Sequence, residues 1–93
     1  MIDCLIVGGG LAGLSAAVEM TRRSVGVTLV EARPRLGGRA YSFRDDDHDC
    51  DLDNGQHLMM GCYTATRRLL ELTSAANTVT TLRRMRIPFR SLD

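Results

Sequence analysis

The first chemistry visible in this chain lies in three glycines near its N-terminus, Gly8, Gly10 and Gly13. They stand in the run Ile6-Val7-Gly8-Gly9-Gly10-Leu11-Ala12-Gly13-Leu14, a spacing that presents bare backbone N–H groups to a phosphate. In such a loop the first glycine permits a tight turn and the second lets the backbone approach a pyrophosphate. The third lets a helix pack closely on a strand. A diphosphate would rest on the helix N-terminus, against N–H groups without intrahelical acceptors and the positive end of the helix dipole. Short glycine spacings also arise by chance, so the weight falls on a partner. Glu31 stands 31 − 13 = 18 residues after Gly13, close to the roughly 20 expected of an acid that hydrogen-bonds a ribose hydroxyl. The competing reading makes Glu31 an ordinary acid at a strand end. Strand, glycines, helix, strand and acid in this order favour the dinucleotide reading.

Two further stretches carry polar groups at suggestive spacing. In Glu31-Ala32-Arg33-Pro34-Arg35-Leu36-Gly37-Gly38-Arg39, Pro34 blocks a helix and the paired glycines open backbone conformations closed to other residues. Arg35 and Arg39 flank those glycines with guanidinium groups suited to bidentate phosphate contacts. Taken alone, this is a surface turn with solvated arginines; directly after Glu31 it reads as a second phosphate loop. In Asp53-Asn54-Gly55-Gln56-His57, Asn-Gly favours a turn with positive φ. Gln56 and His57 then precede the apolar Leu58-Met59-Met60. That suits the edge of a cofactor ring and equally a tight turn entering a core strand, and both readings stand.

The elements that must position these groups follow from periodicity. Cys4-Leu5-Ile6-Val7 reads as a buried parallel strand, with strand one over residues 2–8. Leu14, Ala17, Val18 and Thr21 recur at helical spacing within a helix over residues 11–23, which Arg22 and Arg23 close favourably against its dipole. The β-branched, apolar Val25-Gly26-Val27-Thr28-Leu29-Val30 gives a second strand over residues 25–31. Ala40-Tyr41-Ser42-Phe43 reads as a short strand, and the acidic run from Arg44 to Asp53 as a solvated hairpin tip. A calcium loop starting at Asp49 would need glycine at Asn54 and glutamate at Met60, so no metal is assigned and His48 reads as a surface residue. From Tyr63 onward Ala65, Leu69, Leu72 and Ala76 mark one helical face, with Arg67, Arg68 and Glu71 on the other and Thr64 as N-cap. The tail from Leu82 to Arg90 is basic and apolar together. It reads first as a connecting strand with solvated arginines, and second as a peripheral contact with an anionic membrane.

Composition sets the outer limits. The chain has 93 residues, 44% hydrophobic and 25% charged, with formal net charge +1, which suits a soluble globular segment. Near-neutral charge and only four aromatic residues argue against nucleic acid as a partner. All twelve basic residues are arginine, which reads as codon bias rather than mechanism. A chain this short buries on the order of 60–65% of its surface, and no third long parallel strand or second crossover is visible. The expectation is therefore that residues 1–93 form a truncated N-terminal part of a larger dinucleotide-binding domain. The uncharged stretch from Cys4 to Val18 holds four glycines and is too short to span a membrane, so no targeting segment is assigned. Cys4, Cys50 and Cys62 make no disulfide framework; a reducing, cytoplasmic setting is expected, with Cys4 a small core residue.

Together the three marked stretches resemble the FAD-binding N-terminus of the flavin amine oxidase and phytoene desaturase superfamily, with Arg35-Leu36-Gly37-Gly38-Arg39 the most specific element. Within it, the run from Asp53 to Thr66 is similar to the squalene-associated branch, the hydroxysqualene dehydroxylases. The resemblance implies an α/β fold: a βαβ Rossmann-like unit, then a short hairpin and an amphipathic helix, as part of a larger two-domain flavoprotein. It implies that Gly8, Gly10, Leu11 and Ala12 hold the FAD diphosphate and that Glu31 binds the adenosine ribose, with Gly13 and Ala32 also among the cofactor-binding residues. Arg33, Gly38 and Arg39 would line the diphosphate and ribityl region, and Gly55, Gln56 and His57 would approach the isoalloxazine. The implied reaction is reductive dehydroxylation of hydroxysqualene to squalene, on an apolar isoprenoid substrate held by a full-length parent. A carotenoid desaturase or an amine oxidase sharing the FAD site is the alternative, and an inactive FAD-binding remnant is the alternative of another class. No catalytic residue is assigned, and oligomeric state is left open.

Overall fold

The computed structural model describes residues 3–92. Ile2, where strand one was expected to begin, lies outside the described residues. The chain divides into two units, one ending at Tyr63 and the other starting at Thr64.

The first unit opens with a parallel βαβ arrangement. Strands β1 (Cys4–Val7) and β2 (Val27–Val30) pair in parallel, Cys4 with Val27 through Val7 with Val30, and helix α1 (Leu11–Arg22) connects them. Both strands are shorter than expected for physical reasons at their ends. The Asp3 carboxylate accepts from the Gly26 N–H at 2.9 Å, and Gly8 leaves β1 with φ +104, a conformation that favours glycine. Along β1, half-buried Cys4 and Ile6 alternate with exposed Leu5 and Val7. The half-buried positions of α1 include Gly13, Leu14, Ala17 and Val18. A side chain at Gly13 would put its Cβ 1.9 Å from the Gly8 carbonyl oxygen and 3.4 Å from Ile6. Helix and strand thus touch backbone to backbone.

The expectation of a buried β1 is corrected. Val7 is 80% exposed and Leu5 57%, because one helix covers one face of the ladder and a parallel ladder needs both faces covered to become core. Cys4 is half-buried rather than core, and among the described residues no hydrophobic side chain is fully buried.

An antiparallel hairpin follows, β3 (Ser42–Asp45) with β4 (Cys50–Asp53). It begins two residues later than the strand read from Ala40, because the Ala40 N–H donates to Gly37 O at 3.0 Å and stays in the preceding loop. The solvated tip is confined to residues 46–49; Asp51 and Asp53 lie in β4, opposite Arg44 and Ser42. Arg44 pairs with Asp49 and Asp51, Ser42 Oγ donates to Asp53 at 2.6 Å, and exposed His48 sits 2.8 Å from Asp45.

In the second unit, helix α2 (Thr64–Leu72) is followed by a short 3-10 helix, Ala76–Thr78. Thr64 is already helical rather than the residue preceding the helix, and Ala76 falls beyond it. The expected connecting strand is absent: residues 79–92 form no strand, although their arginines are exposed. No helix among the described residues is long and apolar enough to cross a membrane.

Both α-helices end alike. The Val25 N–H reaches Met20 O and the Ser24 N–H reaches Thr21 O; in α2, Ala75 reaches Leu70 O and Ser74 reaches Glu71 O. This is the closing pattern that places a left-handed residue just past the helix, and here serine fills it, with φ 61 at Ser24 and φ 58 at Ser74. Ser24→Gly relieves that conformation and raises stability by about 0.5–1 kcal/mol, measured by urea unfolding followed by far-UV circular dichroism. In the same assay Gly13→Ala lowers stability by about 1–3 kcal/mol, because the added methyl must separate α1 from the Gly8 carbonyl.

Candidate dinucleotide site

The glycine loop between β1 and α1 leaves the helix N-terminus bare. Gly10 is the N-cap, extended at φ −75 and ψ −178, and no side chain caps the helix. The first turn also carries no acidic residue. The N–H groups of that turn therefore lack both intrahelical and side-chain acceptors, with the dipole's positive end behind them. Leu11 is 57% exposed and Ala12 is exposed beside it. An anion can reach this end from solvent.

Glu31 follows β2 directly and turns back across the ladder. Its Oε2 accepts from the Gly9 N–H at 2.6 Å and its Oε1 from the Arg33 N–H at 2.9 Å. The backbone N–H of Arg33, then that of Gly9, hold its carboxyl below the ordinary value of 4.5; desolvation opposes these two more weakly, and the Ala32 N–H and the Arg33 charge add still smaller downward pulls. Glu31 is thus an ionised, fixed acceptor, and each oxygen keeps lone pairs for further donors. Next to it, Val7, Gly8, Val30, Glu31 and Ala32 line a cleft of ≈ 360 Å³. The cleft lies at the carboxyl ends of the two parallel strands, where open α/β sheets bind ligands.

Gly9, which the spacing argument passed over, is the one residue of the loop that is buried. A Cβ there would stand 2.6 Å from Leu36 Cδ2 and 3.1 Å from Glu31 Oε2. The sequence signal was the middle glycine of the Gly8-Gly9-Gly10 run.

The second glycine loop docks on the first. The Gly37 N–H donates to Gly9 O at 2.8 Å, Gly10 and Gly37 form a parallel bridge, and a Cβ on Gly38 would come within 3.1 Å of Gly10 Cα. The two arginines flanking the glycines separate in role. Arg39 is exposed, as is Arg33. Arg35 is half-buried and turned inward, donating to Gly38 O at 2.9 Å with its guanidinium 3.7 Å above the centre of the Tyr41 ring.

The third stretch is tied in through Asn54. Its backbone N–H donates to Tyr41 O at 2.8 Å and its side chain to Arg39 O at 3.0 Å, while Gly55 takes φ 91 as the Asn-Gly turn requires. Gln56 and His57 are exposed; His57 Nδ1 lies 3.5 Å from Asp53 Oδ2. Among the described residues neither bonds to a glycine loop. The alternative of a tight turn entering a core strand is not what forms, since residues 56–60 adopt no strand and Leu58 is 74% exposed.

The sequence profile of the family described as NAD(P)-binding Rossmann-like domain matches residues 6–72, well over half of the chain. A zeta-carotene desaturase of Zea mays is 40% identical over 72 residues, covering 77% of this chain and 12% of that protein. A hydroxysqualene dehydroxylase of Zymomonas mobilis is 46% identical over 55 residues, covering 59% of this chain and 13% of that one. The solved structure of wild-type putrescine oxidase bound to putrescine superposes with a TM-score of 0.68 at 35% identity, covering 74% of this chain and 15% of the oxidase. The chain thus spans about an eighth of the curated relatives' length. With a βαβ unit, an uncapped helix over a glycine loop and an acid at the end of β2, the chain belongs to the NAD(P)-binding Rossmann-like domain family, within the flavin amine oxidase and carotenoid desaturase superfamily.

Proposed function

We propose that this chain holds the ADP half of FAD in an FAD-dependent oxidoreductase of isoprenoid metabolism, which removes the hydroxyl of hydroxysqualene reductively to give squalene. The observation that carries the cofactor reading is the Glu31 carboxylate, fixed by the Gly9 and Arg33 N–H groups in the lining of the β1–β2 cleft, with the start of α1 bare. Its charge suits ribose hydroxyl donors, and the helix end suits the diphosphate. The residues present therefore fit the adenosine and diphosphate portion of the cofactor. In this reading Gly8, Gly10, Leu11, Ala12 and Gly13 surround the diphosphate, and Glu31 and Ala32 orient the ribose. Arg33, Gly38 and Arg39 offer charge and close backbone toward the diphosphate and ribityl chain, and Gly55, Gln56 and His57 face the isoalloxazine side. The bound flavin, in reduced form, supplies the hydride; the residues here bind and orient it.

The substrate reading rests on the run from Asp53 to Thr66, which resembles the squalene-associated branch. The longer alignment with zeta-carotene desaturase, 72 residues against 55, favours carotenoid desaturation as the second reading. Assay of the full-length parent with hydroxysqualene and reduced FAD is expected to yield squalene. Turnover of a carotene or an amine in its place overturns the first reading.

For the chain itself, FAD binding is followed by quenching of flavin fluorescence. Glu31→Gln weakens binding about tenfold at neutral pH, since a charged acceptor is lost. Because the folded carboxyl titrates below its ordinary 4.5, its contribution is complete above that value and lost as pH falls through the folded value. The parent's affinity therefore drops on that acid limb, and the affinity of Glu31→Gln does not. Equal affinity of the two at neutral pH removes Glu31 from the site, and no quenching by the parent favours an inactive remnant.

A further inference from the structure

The two arginines of the Arg35-Leu36-Gly37-Gly38-Arg39 element look interchangeable in sequence and are not so in space. Arg35 does two things at once. Its Nη1 donates to Gly38 O at 2.9 Å, and the same planar group lies 3.7 Å above the Tyr41 ring. Tyr41 is itself held, its carbonyl accepting from Asn54 N–H at 2.8 Å and its ring tilted against Phe43 at 6.2 Å. Gly37 and Gly38, between Arg35 and Tyr41 in the chain, form the surface that meets Gly9 and Gly10. From these contacts we propose that Arg35 and Tyr41 form a positioning clamp that sets the second glycine loop against the first, leaving Arg39 as the arginine that faces the dinucleotide. The inference rests on the dinucleotide reading above for its consequence, and on the loop contacts for its substance.

A stacked guanidinium suits this task better than an ammonium, because one flat group satisfies a carbonyl and a ring together. The clamp acts through Gly38, so removing it changes how well the binding amides are arranged rather than the charge the ligand meets.

The test has a ligand-free part and a ligand-bound part, both on the full chain. Amide hydrogen exchange at Gly37 reports the docking bond to Gly9 O without any dinucleotide. Arg35→Gln, Arg35→Lys and Tyr41→Leu are each expected to speed that exchange about tenfold, while Tyr41→Phe, which keeps the ring, and Arg39→Gln exchange like the parent. Gly37 exchange in Tyr41→Leu that matches Tyr41→Phe overturns the clamp, and this pair decides the matter even where an Arg35 variant fails to fold. In FAD titrations, Arg35→Gln and Tyr41→Leu lose about tenfold in affinity with unchanged salt dependence, whereas Arg39→Gln flattens the salt dependence because it removes a charge facing the ligand. A flattened salt dependence in Arg35→Gln overturns the proposal by placing that guanidinium on the phosphate. Failure of the parent to bind FAD favours the inactive remnant, and the Gly37 exchange still decides the clamp.

Discussion

The bond from the Gly9 N–H to Glu31 Oε2, 2.6 Å long, is the contact on which the site depends. It joins the chain just past the carboxyl ends of β1 and β2 across 22 residues of sequence. The turn out of β1 and the residue that ends the β2 side are thereby held in one place, with the start of α1 beside them. Glycine at position 9 is a condition of that bond, since a Cβ there would crowd both the Glu31 carboxylate and Leu36. The carboxylate in turn accepts the Arg33 N–H, which turns the chain away from β2 toward the second glycine loop. Removing the charge at Glu31 therefore disturbs geometry as well as a ligand contact.

From that point the site is assembled by backbone approaching backbone. Gly13 lets α1 rest on the Gly8 carbonyl, Gly37 donates to Gly9 O, and Asn54 bonds to the carbonyls of Tyr41 and Arg39. Such contacts need small residues and fixed turns more than apolar mass, which agrees with a chain in which no described hydrophobic side chain is fully buried. The price of this economy is an uncovered ladder face bearing Leu5, Val7 and Val30. Two-sided cover is what parallel strands require, and among the described residues of the first unit α1 covers one side.

The parts of the site that were legible in sequence are those fixed by local spacing. Gly8, Gly10 and Gly13 gave the strand-to-helix switch, and Glu31 gave the end of the second strand; the structure brings them together as that spacing requires. The hairpin was legible as a turn between short strands, although its tip proved to be only residues 46–49, because Asp51 and Asp53 find cross-strand partners in Arg44 and Ser42. The role of Arg35 was not legible, since it depends on a ring six residues later folding back beneath it. Neither was the exposure of β1: an apolar run records what a strand prefers, and the covering layer lies outside the run itself. Residues 79–92 show the same limit. Despite their strand-like composition they form no strand among the described residues.

The most direct measurement is an amide NMR titration of the chain with ADP, which carries the adenosine and diphosphate without a flavin. Shifts are expected to concentrate on the amides of residues 8–13 and 31–33. No shift at residues 8–13 at saturating ADP would contradict the central claim.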